Sequence, residues 1–219
     1  MPELEIYSDF NCTWCYFDRP SIKRLEREYD VKIRYRAFPL HPDIPKNGIP
    51  IQELFGHNVP LMSDKMHQLE KIAASLGLPL ARRSTISDSR LSQELAKWVE
   101  TKGRLREYQD AIYKAYFSDG LNIADKSTLS EIAEKCGLSR MEALKIMETG
   151  AFSEAVDIDW DESEKSGIMV APTYIMNGTK LMGSQSYEKL EELMVANKIL
   201  EKSRAQSGIQ PDAGQLATY

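Results

Sequence analysis

The chain has 219 residues, 42% of them apolar and 28% charged, with a formal net charge of −5. That profile suits one large globular domain, or a domain carrying a sizeable insertion, and excludes fibrous and largely disordered classes. Basic residues are interleaved with acidic ones, so no nucleic-acid surface is expected. No apolar run approaches the roughly 20 residues that cross a bilayer, so no membrane partner is expected either. The opening Met1–Tyr7 shows neither a basic leader nor an apolar stretch, and a cytoplasmic address is the corresponding expectation.

Leu4, Ile6 and Phe10 are set among Glu3, Glu5 and Asp9, an alternation that predicts a first strand. From Cys12 onward, Trp14, Phe17, Ile22, Leu25 and Tyr29 recur at helical spacing, and Pro20 should kink or restart that helix. Val31, Ile33, Tyr35 and Ala37 alternate with Lys32, Arg34 and Arg36, a second strand that completes a βαβ unit. Residues 39–60 hold five prolines and are expected to be loop.

Helical patterns follow, marked by Met66–Leu76, Leu91–Val99, Tyr108–Tyr116 and Leu129–Cys136, with Gly77 and Gly137 as stops. Ser139-Arg140-Met141-Glu142 reads as a capping box opening a helix that ends near Gly150. Ala151 to Lys165 is helical again. Residues 173–176 and 179–182 flank Asn177-Gly178, a two-residue hairpin signal. Leu190, Leu193 and Met194 give a last helix, and the small, polar residues from Ser203 onward read as a flexible tail.

Only three cysteines occur, Cys12, Cys15 and Cys136, too few for a structural disulfide framework. Cys12-Thr13-Trp14-Cys15 falls where a strand gives way to a helix. Free N–H groups and the positive end of the helix dipole there favour a thiolate. Cys12, in the first turn and expected near the surface, is the candidate nucleophile; Cys15, one turn on, is placed to resolve a mixed disulfide. Thr13 and Trp14 between them would tune the pair and meet substrate. Two plainer readings compete: half of a zinc site, or two core cysteines. Zinc would need ligands from Cys136, His41, His57 and His67, which form no closely spaced pair, so no metal is expected.

Other conspicuous residues have structural readings. Cys136 sits on an apolar helix face. His41, in the proline-rich loop, is taken as exposed, with proton transfer as the alternative. Asp157, Asp159, Asp161 and Glu162 read as a solvated acidic face, and Trp98, Tyr113 and Tyr116 as packing residues.

The combination resembles the DsbA-like branch of the thioredoxin superfamily, with its cytoplasmic FrnE-like members nearest. The residues that carry the likeness are Ser8-Asp9 with Cys12-x-x-Cys15-Tyr16, then Arg36 to Pro42 and Leu76 to Pro79. Ala115-Tyr116-Phe117 and Gly167 to Tyr174 complete it. The resemblance implies an α/β class: a thioredoxin-like fold over 1–60 and 151–200, with an all-helical insertion over 61–150 and a tail over 201–219. It also implies a cis Pro172 that faces the cysteines and, with the Ala171 backbone, aligns an extended substrate. The activity implied is thiol–disulfide exchange with protein or small-molecule thiols. No tightly bound cofactor is implied, and glutathione is a candidate redox partner.

Three departures are visible. Thr13 stands where members commonly carry proline, Ala171 where they carry valine or threonine, and Ser87 to Leu91 replaces an Asn- and His-containing segment. The alternative within the same superfamily is a glutathione-dependent isomerase or transferase, of the hydroxychromene-carboxylate isomerase or kappa-class transferase type. Those enzymes typically carry serine in place of Cys12. A non-catalytic binding module is a third class.

Overall fold

The computed structural model describes residues 1–55 and 59–202. Strand β1 (Glu3–Ser8) turns Leu4 and Ile6 to one face and Tyr7 to the other, as its alternation dictates. Cys12 caps the short helix α1 (Thr13–Phe17), and Asp18 separates it from α2 (Arg19–Glu28). Pro20 stands in the first turn of α2, where its missing N–H costs nothing, so it restarts the helix. β2 (Lys32–Ala37) then pairs parallel with β1, Leu4 opposite Ile33 and Ser8 opposite Ala37.

The stretch 39–60 departs from the loop expected of it. β3 (Ile49–Pro50) is followed directly by α3 (Ile51–Phe55), and α4 (Val59–Ser75) takes Pro60 into its first turn. Prolines fit a helix start or a short edge strand as well as a loop, so their number concealed these elements. β3 pairs antiparallel with β4 (Thr85–Ile86), which the sequence pattern also missed. Gly48 makes the pairing possible: at φ 74° an added Cβ would stand 2.7 Å from the Ile86 carbonyl oxygen.

Helices α5 (Arg90–Thr101), α6 (Leu105–Tyr113), α7 (Lys126–Lys135) and α8 (Arg140–Thr149) come next, with a π-helical turn at Lys114–Ser118 after α6. Ser139 accepts the Glu142 N–H, and Gly150 ends α8 in the left-handed conformation. α9 (Ser153–Lys165) packs against β2. There Asp159 is buried, accepting from Arg36 at 3.0 Å and the Ala37 N–H at 2.8 Å and pairing with Lys97. The acidic run is therefore not wholly a solvated face, because α9 lies across the end of β2.

β5 (Thr173–Met176) and β6 (Thr179–Met182) form the hairpin, with Asn177 at φ 46° and Gly178 at φ 82°. Antiparallel addition of β5 to β1 gives the sheet order β2-β1-β5-β6. α10 (Tyr187–Ala196), capped by Ser186, joins α2 over Leu4 and Ile6, burying Ile22, Leu25, Tyr174, Leu190 and Met194. Each such side chain contributes roughly 1.5–3 kcal/mol. Glu201 bridges to Tyr29 and the Lys202 N–H donates to Glu28, so the chain is tied down as far as Lys202. His57 and the stretch from Ser203 lie outside the described residues. On the opposite face one apolar cluster runs from Tyr7, Phe10, Cys12 and Cys15 to Trp98, Tyr108, Tyr113 and Leu129. The helical region thus shares its core with the cysteine motif.

Candidate active site

Cys12 sits at the junction of β1 and α1, where Asp9 O accepts its N–H at 3.3 Å. Its sulfur accepts the Cys15 N–H at 3.3 Å and donates to Ala171 O at 3.4 Å. The sulfur therefore touches both the helix start and the segment before β5. Contrary to the sequence expectation, Cys12 is only 2% exposed, and Ala171, just before β5, stands against its sulfur. The Ala171–Pro172 peptide is cis, Ala171 is itself buried, and the Ala171 N–H has no hydrogen-bond partner among the described residues.

Cys15 is equally buried, and that burial, with Cys12 beside it, raises its pKa well above the usual thiol value. The Ser8 hydroxyl and the Asp9 backbone pull it partway back. Both cysteines are free thiols. Trp14 is 45% exposed and lies edge-on to Phe17 at 5.8 Å, while Thr13 is half-buried beside it. Met169 and Val170 are exposed just before Ala171. Trp14, Met169 and Val170 thus supply exposed apolar surface on the two segments that meet at Cys12.

Several neighbours escaped the sequence reading. Tyr113, taken as a packing residue, bonds Ser8 at 2.9 Å and donates to Asp9 O at 3.3 Å, bracing the turn that holds Cys12. Met169 and Val170 gave a readable signal, two adjacent apolar residues between a helix and a strand; the Tyr113 contact spans 105 residues and gave none. Cys136 lies apart, buried at the end of α7, and His41 is half-buried, its pKa lowered by desolvation. Among the described residues no His, Cys, Asp or Glu cluster offers a metal site.

Asp9 is the buried charge of the site. Its carboxylate accepts from Leu40 N–H at 3.0 Å and Asn11 N–H at 3.3 Å, with Ser89 and Gln93 alongside. Burial outweighs these bonds and pushes its pKa from 3.8 up to about 6. Between those values the folded protein binds a proton that the unfolded chain has lost. The Asp9 contribution is therefore intact below pH 4, shrinks as pH rises through 6, and stays reduced above. A rise of that size corresponds to roughly 3 kcal/mol. Urea unfolding at pH 4 and pH 7 should show the wild type losing up to about 3 kcal/mol relative to Asp9→Asn. A pH-independent difference would mean that Asp9 titrates as it does in water.

A family model described as the DSBA-like thioredoxin domain matches residues 3–195. An uncharacterised Bacillus subtilis protein, YwbO, is 22% identical over 195 residues, covering 86% of this chain and 94% of that protein. Among solved structures, a probable DsbA oxidoreductase from Streptomyces coelicolor superposes with a TM-score of 0.80 at 23% identity, over 90% of this chain and 91% of the other. A 2-hydroxychromene-2-carboxylate isomerase superposes at 0.70 with 18% identity, over 90% and 94%. The mixed sheet, the helices set between β2 and β5, and the match over nearly the whole chain lead to one assignment: the chain belongs to the DSBA-like thioredoxin domain family.

Proposed function

We propose that the protein is a thiol–disulfide oxidoreductase acting on thiol- or disulfide-bearing protein or small-molecule substrates through Cys12 and Cys15. One observation carries this reading: the Cys12 sulfur lies between the Cys15 N–H, 3.3 Å away, and the Ala171 carbonyl, 3.4 Å away. Trp14, Met169 and Val170 offer an incoming disulfide exposed apolar surface on the two segments that meet at that sulfur. The Cys12 thiolate attacks one substrate sulfur and the other leaves as a thiolate that takes up a proton. Cys15 then loses its proton and attacks Cys12 Sγ, releasing the second substrate thiol and leaving a Cys12–Cys15 disulfide. The substrate is reduced by two electrons and the cysteine pair oxidised by two; the reverse sequence oxidises a dithiol. The unpartnered Ala171 N–H beside cis Pro172 offers an extended peptide a backbone contact. Glutathione is the candidate small-molecule partner, and the cytoplasm, where thiols are kept reduced, is the proposed setting.

Equilibration in glutathione buffers of graded redox ratio, followed by thiol trapping, tests the proposal. A reversible two-electron Cys12–Cys15 couple, abolished in Cys12→Ser, is expected. Saturable glutathione binding with no intramolecular disulfide would replace this reading with the glutathione-dependent isomerase or transferase.

A further inference from the structure

Arg83 stands out for the partner it lacks. Its guanidinium lies over the rings of Tyr116, 4.1 Å from the centroid, and Phe117, 4.3 Å away. Among the described residues its one hydrogen bond is a long 3.5 Å contact from Nη1 to the Tyr116 carbonyl, and its buried Nε has no partner there. No carboxylate pairs with it among the described residues, although the chain holds 33 Asp and Glu. A cation largely withdrawn from water is costly unless something compensates it.

Arg83 lines a pocket of about 200 Å³ between the 82–87 segment and the π-helical turn. Arg82, Ser84, Thr85, Asn47 and Asn122 share the wall, and none of the lining residues is acidic. Tyr116 is also at its edge, 1% exposed. Its hydroxyl sits near the Ser87 backbone without a well-formed hydrogen bond to any described residue. Arg82 is already committed to Glu70 at 2.6 Å. The wall is therefore a free guanidinium surrounded by hydroxyl and amide donors, in a protein whose net charge is negative.

We propose that this pocket is a binding site for a small oxyanion, a carboxylate or phosphate group, with Arg83 as its anchor. The planar guanidinium fork matches two anion oxygens at once, and the hydroxyls of Ser84 and Thr85 and the Asn122 amide supply further donors. The assignment stands independently of cysteine exchange, because none of the residues it names belongs to the Cys12–Cys15 pair.

Isothermal titration of the wild-type protein with inorganic phosphate and, separately, with succinate tests it. Saturable binding of one or both is expected, and the arm that responds identifies the group. Arg83→Met should weaken binding about tenfold or more, the loss expected for a charged hydrogen-bonded anchor. Arg104→Met, an equal change of net charge at an exposed arginine outside the pocket, should alter it less than about threefold. A second measurement needs no variant: the bound anion should protect Arg83, and not Arg104, from phenylglyoxal. No saturable binding of either anion, equal loss in the two variants, or modification of Arg83 unaffected by both anions would overturn the site.

Discussion

Cys15→Ser is expected to turn the protein into a covalent trap. The first attack needs only Cys12, which keeps its contacts to the residue 15 N–H and to Ala171 O. The second step needs a thiolate at position 15, and serine cannot supply one at neutral pH. A disulfide substrate should therefore accumulate as a mixed disulfide on Cys12, one per chain, visible as an adduct by intact mass. Turnover should fall by about 100-fold or more while the first attack changes by less than about threefold. Because burial raises the Cys15 pKa, resolution in the wild type should quicken as pH rises. An adduct on Cys136, or none, would contradict the assigned roles.

Asp159→Ala is expected to be the most damaging change outside the cysteines. The carboxylate is almost wholly buried and holds three groups: Arg36, Lys97 and the Ala37 N–H at the end of β2. Its removal leaves Lys97 without a carboxylate, Arg36 with only Glu5 and Glu162, and an unpaired backbone donor at Ala37. Breaking such a pair from one side costs about 3–5 kcal/mol, which for a chain of this size lowers Tm by roughly 10 °C. Asp157→Ala, two residues earlier on the same helix, removes an exposed carboxylate from Arg90, which keeps Glu94, and should cost under about 1 kcal/mol. Urea unfolding of the two variants checks the contrast; equal losses would mean that α9 is not held to β2 through Asp159.

These residues also show where sequence reasoning ends. The βαβ opening, the capped helices and the Asn177-Gly178 hairpin were legible because each is written in local periodicity and turn chemistry. Cys12 and Cys15 were legible because their spacing and place at a helix start have chemical meaning by themselves. The depth of Cys12 was not, since Ala171, which stands against its sulfur, comes from 159 residues further along the chain. Asp159 looked like one acid among four; only the parallel placement of β2 brings Arg36 to it. Likewise 39–60 read as loop because five prolines hid one short strand and two helix starts. Tyr113 and Arg83 carry no local signal. Their roles arise from contacts with Ser8 and with the π-helical turn that no periodicity encodes.

Exchange through Cys12 and Cys15 is tested most directly by intact and peptide mass spectrometry of the reduced protein after one equivalent of a neutral disulfide. The expected result is the loss of two hydrogens, a Cys12–Cys15 linkage in the digest, and Cys136 still reduced. A stable adduct retained on Cys12, or a linkage involving Cys136, would contradict it.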